Sequence, residues 1–98
     1  MNTGLTSTRY ANALYKFAEQ KQQEDTIYKQ MKVLARSFSE LNQLRAVLDN
    51  PVLDNSGKKE IIQLAIGSKA DSILDGFIDL VLTNHRENSL QTMALKYI

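Results

Sequence analysis

Apolar residues recur along this chain at helical spacing, and in two segments they recur too often for a single buried face. In the first, Arg9 to Ala18, a wheel at about 100° per residue gathers Ala13, Phe17, Tyr10, Leu14, Ala18, Ala11 and Tyr15 into one arc of about 200°. One core-facing side needs an arc only somewhat wider than ~100°. Asn12, Lys16, Glu19 and Arg9 fill the remainder, so this helix has a wet side. Two readings are open: the flank of the arc meets another molecule, or the helix is central and touched by two or three neighbours. The second segment, Ser72 to Asn84, has the same excess, with Leu80, Ile73, Phe77, Val81, Leu74, Ile78 and Leu82 sweeping about 200°.

The intervening segments are more ordinary. Helix 1 is expected from a cap among Thr6, Ser7 and Thr8 to about Gln22, before a wholly polar stretch from Gln20 to Asp25. Asp25 or Thr26 can cap helix 2, in which Ile27, Met31, Leu34, Phe38 and Leu41 form one core stripe opposite a solvated row of Lys29, Lys32 and Arg36. Leu41, Leu44 and Leu48 mark a short helix 3 that stops at Asp49-Asn50-Pro51, because a residue before proline avoids the helical region. Asp54 caps helix 4, which carries Ile61, Ile62, Ala65 and Ile66 and ends at Gly67 in a left-handed conformation. Asp71 caps helix 5. Asn88 caps helix 6, whose Leu90, Met93, Ala94, Tyr97 and Ile98 run to the last residue without a terminator, so the chain is expected to be cut from a longer protein. The expectation is all-α: a six-helix bundle in one domain spanning residues 1–98.

Composition narrows the function more than it defines it. A chain of 98 residues is enough for one core and too short for two. One proline and four glycines favour helix throughout. Twelve basic and eleven acidic residues are scattered without a block, which disfavours a phosphate-binding surface and hence nucleic acid. Without cysteine there is no thiolate nucleophile or Cys-based metal site. No apolar run approaches the ~18 residues that span a bilayer. The opening Met1-Asn2-Thr3-Gly4-Leu5 lacks signal-peptide regions, and Asn2 stands where N-myristoylation requires glycine.

Candidate chemistry is sparse. His85 is the only histidine and is expected to serve the C-terminal end of helix 5. Asp71, Asp75 and Asp79 form an acidic line at i, i+4, i+8, but one helix face cannot supply the six to eight oxygens of a carboxylate-held cation, so a solvated stripe is expected. Gly76, mid-helix, costs about 1 kcal/mol relative to alanine; either it lets another helix come close, with Ala13 at the comparable edge of helix 1, or it is simply tolerated. There is no Gly-rich phosphate loop, nucleophile elbow or paired-His spacing, and no enzyme, cofactor or metal is expected.

Three blocks in order carry a resemblance. Arg9-Tyr10-Ala11-Asn12-Ala13-Leu14-Tyr15 resembles the RYAxALF opening of the delta subunit of bacterial F-type ATP synthases, related to the mitochondrial oligomycin sensitivity conferral protein. Asn50-Pro51-Val52-Leu53-Asp54 followed by Lys58-Lys59 resembles that family's Asn-Pro, cap and Lys-rich helix start. Phe77 to Arg86 resembles its segment ending in Asn-Gly-Arg, with His85 in place of the usual glycine and Glu87-Asn88 where an apolar residue usually follows the arginine.

The resemblance implies the N-terminal domain of a non-catalytic stator subunit about twice this length. That subunit supports ATP synthesis coupled to proton transport, peripheral on the cytoplasmic side of a bacterial cell membrane. It implies that the N-terminal helix of an alpha subunit binds between helices 1 and 5, and that a missing C-terminal domain meets the b subunit of the peripheral stalk. The implied groove residues are Tyr10, Ala13, Leu14, Phe17, Ile73, Gly76, Phe77, Leu80 and Asn84, of which Leu14, Phe17, Ile73 and Phe77 could equally belong to the core. The alternative is a free-standing helical adaptor that binds another amphipathic helix.

Overall fold

The computed structural model describes residues 3–98, so Met1 and Asn2, including the position read against myristoylation, lie outside the described residues. Six α-helices and one 3₁₀ turn follow in order: α1 (Thr3–Gln20), α2 (Glu24–Glu40), α3 (Asn42–Leu48), α4 (Asn55–Ile66), α5 (Ser72–Thr83), the 3₁₀ turn (Glu87–Ser89) and α6 (Leu90–Tyr97). The fold is an all-helical single domain of six helices.

The core is one cluster built on α6. Leu90, Met93 and Ala94 are fully buried between α1 and α2, which pack on α6 more extensively than on each other. The stripe Ile27, Met31, Leu34 and Phe38 of α2 is buried as its spacing predicts, and each such side chain contributes about 1.5–3 kcal/mol relative to exposure. Leu41, placed in that stripe by the pattern, is instead 55% exposed, because the chain breaks there between α2 and α3. Lys29, Lys32 and Arg36 are exposed, with Lys32 over the Tyr28 ring.

Local signals set several helix ends. The Asp54 carboxylate accepts from the Gly57 N–H at 2.8 Å and that of Asp71 from the Ile73 N–H at 2.9 Å, while Gly67 ends α4 at φ 81°. Other ends depart from expectation. Thr6, Ser7 and Thr8 lie inside α1 and do not cap it. Packing carries the helix back to Thr3, with Ser7 fully buried and the Thr8 hydroxyl donating to the Gly4 carbonyl. Helix α1 stops at Gln20, two residues earlier than expected. Asp25 and Thr26 fall within the first turn of α2, where Glu24 and Asp25 favour the positive end of the helix without capping it. Asn88 is no cap either, since it sits within the 3₁₀ turn.

Two helices end in a Schellman motif around a residue other than glycine. After α1, Gln22 adopts φ 58°, with Gln23 N–H donating to Ala18 O and Gln22 N–H to Glu19 O. After α5, His85 adopts φ 57°, with Arg86 N–H donating to Val81 O and His85 N–H to Leu82 O. His85 thus serves the end of α5 through its backbone, one residue beyond the C-cap Asn84.

Candidate functional site

Helix α5 is held in place from one side. The Gln30 side chain of α2 bonds both the Lys69 carbonyl and the Asp71 N–H, fixing the loop that launches α5. Lys59 of α4 then bridges Asp75 at 3.1 Å and Asp79 at 2.8 Å, and Gln63 donates to the other oxygen of Asp75. The hydrogen bonds to Asp79 and Asp75 hold the Lys59 ammonium above its ordinary value of 10.5. The acidic line of α5 is therefore only partly a solvated stripe: Asp71 caps, and Asp75 and the more exposed Asp79 pair with Lys59 of α4. Below them, the Lys58 ammonium lies 2.7 Å from Glu87 in a pair whose side chains are each only 9% exposed. This pair ties α4 to the 3₁₀ turn, and the departure from the family pattern at Glu87 thereby acquires a structural role.

The other flank of α5 faces α1 across an open, apolar groove of about 760 Å³. Its walls are Arg9, Tyr10, Ala13, Leu14, Phe17 and Lys21 from α1 and the turn after it, and Ser72, Ile73, Gly76, Phe77 and Leu80 from α5. Leu14 and Phe77 are buried and form the floor, belonging to core and groove at once. Tyr10 and Ile73 are half-buried against the same core. Phe17 and Leu80 stand at the lips, 49% and 50% exposed.

The wide arc of α1 is thus divided three ways. Ala11, Leu14 and Ala18 enter the core, and Tyr15 turns to the Tyr97 ring of α6, 5.9 Å between centroids. Tyr10, Ala13 and Phe17 are left on the groove side.

Two small residues widen the cleft, Ala13 on one wall and Gly76 on the other. A Cβ added at Gly76 would meet nothing within 4 Å, so no other described helix comes close there. Asn84 does not line the groove. It donates through Nδ2 to the Tyr10 hydroxyl at 2.9 Å, a bond that joins the two walls, and the Tyr10 ring in turn meets Phe77 edge-on at 6.2 Å.

Arg9, Lys21 and Ser72 are wall residues that the pattern missed. Arg9 falls on the wet side of the wheel, and Lys21 lies past the helix in a polar run; long side chains that reach over apolar surface leave no periodic signal.

Known proteins bear on this arrangement. Residues 6–98 match the sequence pattern of the family described as ATP synthase delta (OSCP) subunit. The chain belongs to that family. It is 44% identical over 99 aligned positions to ATP synthase subunit delta of Phocaeicola vulgatus, an alignment covering all of this chain and 54% of the relative. The corresponding proteins of Parabacteroides distasonis and Bacillus subtilis are 40% and 34% identical, again over all of this chain and 54% of theirs. The chain spans about half the length of the delta subunits it matches. Among the described residues no helix is long and apolar enough to cross a membrane.

Proposed function

We propose that this chain is the N-terminal, head-binding half of a stator subunit of a proton-transporting F-type ATP synthase, and that its α1/α5 groove holds the N-terminal helix of an alpha subunit. The observation that carries this is the open groove with Phe17 and Leu80 half-exposed at its lips. An amphipathic helix laid along such a groove buries its stripe at i, i+3, i+4 and i+7. From Arg9 to Lys21 the wall runs about 18 Å at 1.5 Å per residue, room for about three turns of partner. The gap between Ala13 and Gly76 takes the partner's central apolar anchor. Tyr10, Ile73, Phe77 and Leu14 line the slot, and Asn84 braces it through Tyr10.

The subunit does no chemistry itself. It ties the catalytic head to the peripheral stalk, which its C-terminal half meets at the b subunit, and so keeps the head from turning while proton flow drives ATP synthesis. Its place is peripheral, on the cytoplasmic face of the bacterial membrane, held there by the complex.

A calorimetric titration tests this reading: a peptide copying the first ~20 residues of the alpha subunit should bind the wild-type chain and bind Leu80→Asp on the order of 100-fold more weakly, with little change in the melting temperature. Unfolding of Leu80→Asp would make Leu80 a core residue, and equal affinity for both chains would remove it from the binding surface.

A further inference from the structure

The charge of the groove says something about its occupant that the apolar walls do not. Among its eleven wall residues the only charged ones are cations, Arg9 and Lys21. On α5, Asp75 and Asp79 turn to Lys59 on the far flank of that helix, where one ammonium offsets half of their charge, and the Asp71 carboxylate caps the Ile73 N–H. Among the described residues, no ion pair engages Arg9 or Lys21; Lys21 is positioned over the Phe17 ring, 5.8 Å from its centroid. Helix α1 and the turn after it therefore present a cation at each end of this wall, about 18 Å apart by helical rise, beside low-dielectric apolar surface that concentrates their field.

We infer that the occupant is an amphipathic helix whose polar flank on the α1 side is acidic, with carboxylates about three turns apart that meet Arg9 and Lys21. This rests on the groove being a helix-binding site, as proposed above. Rim charges of this kind set association rate and orientation more than total affinity. Each pair shifts the dissociation constant by about threefold, and a basic flank would be repelled by a similar factor. The acidic flank also fixes which edge of the helix lies along α1.

The test uses three synthetic 20-residue helical peptides with one shared Leu/Ile stripe and Glu, Gln or Lys at the two flank positions, each titrated into the 98-residue chain. The expected order of affinity is Glu over Gln over Lys, with about a hundredfold between the extremes. The Glu peptide alone should weaken, by up to about tenfold, between about 50 and 500 mM salt. In the Arg9→Gln/Lys21→Gln double variant the three should converge. Equal affinities in the wild type, all with resonance shifts in the groove, would overturn the acidic flank and leave the groove reading intact. No groove shifts with any peptide at millimolar concentration would overturn both.

Discussion

Helix α5 has two flanks of opposite character, and the contrast separates what this fold needs from what it offers. Toward α4 the helix is tied by Lys59 to two carboxylates, by Gln63 to one of them, by Asn55 to the Leu82 carbonyl and, just past its end, by Lys58 to Glu87. Toward α1 it is joined by the bond from Asn84 to Tyr10 and by Phe77 packed on Tyr10 at the groove floor, and above that floor it faces an apolar gap. A flank with a partner inside the chain is closed with directional polar contacts. The open flank keeps apolar side chains that the fold buries only in part, with Leu80 half-exposed.

Changes on the closed flank should act on stability, and changes on the open flank on binding. The largest expected effect is at the buried pair: Glu87→Ala leaves the Lys58 ammonium unpaired and should cost about 3 kcal/mol by denaturant unfolding, with much of the loss recovered in Lys58→Met/Glu87→Leu. A loss below about 1 kcal/mol would mean that this corner is solvated. On the open flank, Gly76→Leu fills space in which a Cβ meets nothing. It should leave stability unchanged or raised by up to ~1 kcal/mol while weakening peptide binding about tenfold. Unchanged binding would show that the partner does not enter between Ala13 and Gly76.

A smaller effect is expected at Lys59→Met, about 0.5–1 kcal/mol at neutral pH for a partly exposed network. Because the folded chain holds the Lys59 proton more tightly than the unfolded chain, this contribution is fully present below pH 10.5 and fades as pH rises through the raised folded value. Wild type and variant should therefore converge in alkaline denaturation curves. The smallest effect is at His85→Gly, which relieves a left-handed side chain and should stabilise by about 0.5 kcal/mol in thermal melts without altering the groove.

Local features were legible in the sequence and tertiary ones were not. Periodicity separates the six helices, and Asp54, Gly67 and Asp71 announce their ends because a cap acts within three or four residues of itself. The candidate caps Thr6, Ser7, Thr8, Asp25, Thr26 and Asn88 failed where packing extends a helix or inserts a 3₁₀ turn. The pairing of Lys58 with Glu87 joins positions 29 apart, and no spacing rule reaches that far. Asp75 and Asp79 read as solvated for the same reason, since the lysine that holds them is on another helix. The wheel did expose the excess apolar arcs of α1 and α5. It could not divide them between core and groove, because Leu14 and Phe77 serve both.

We propose the open flank of α5, with the facing side of α1, as a binding surface. Chemical-shift mapping with a peptide copying the alpha subunit's first ~20 residues tests it most directly. The largest amide shifts should fall between Tyr10 and Phe17 and between Ile73 and Leu80, with α2 and α4 little affected. Shifts confined to α2 and α4, or none at millimolar peptide, would contradict it.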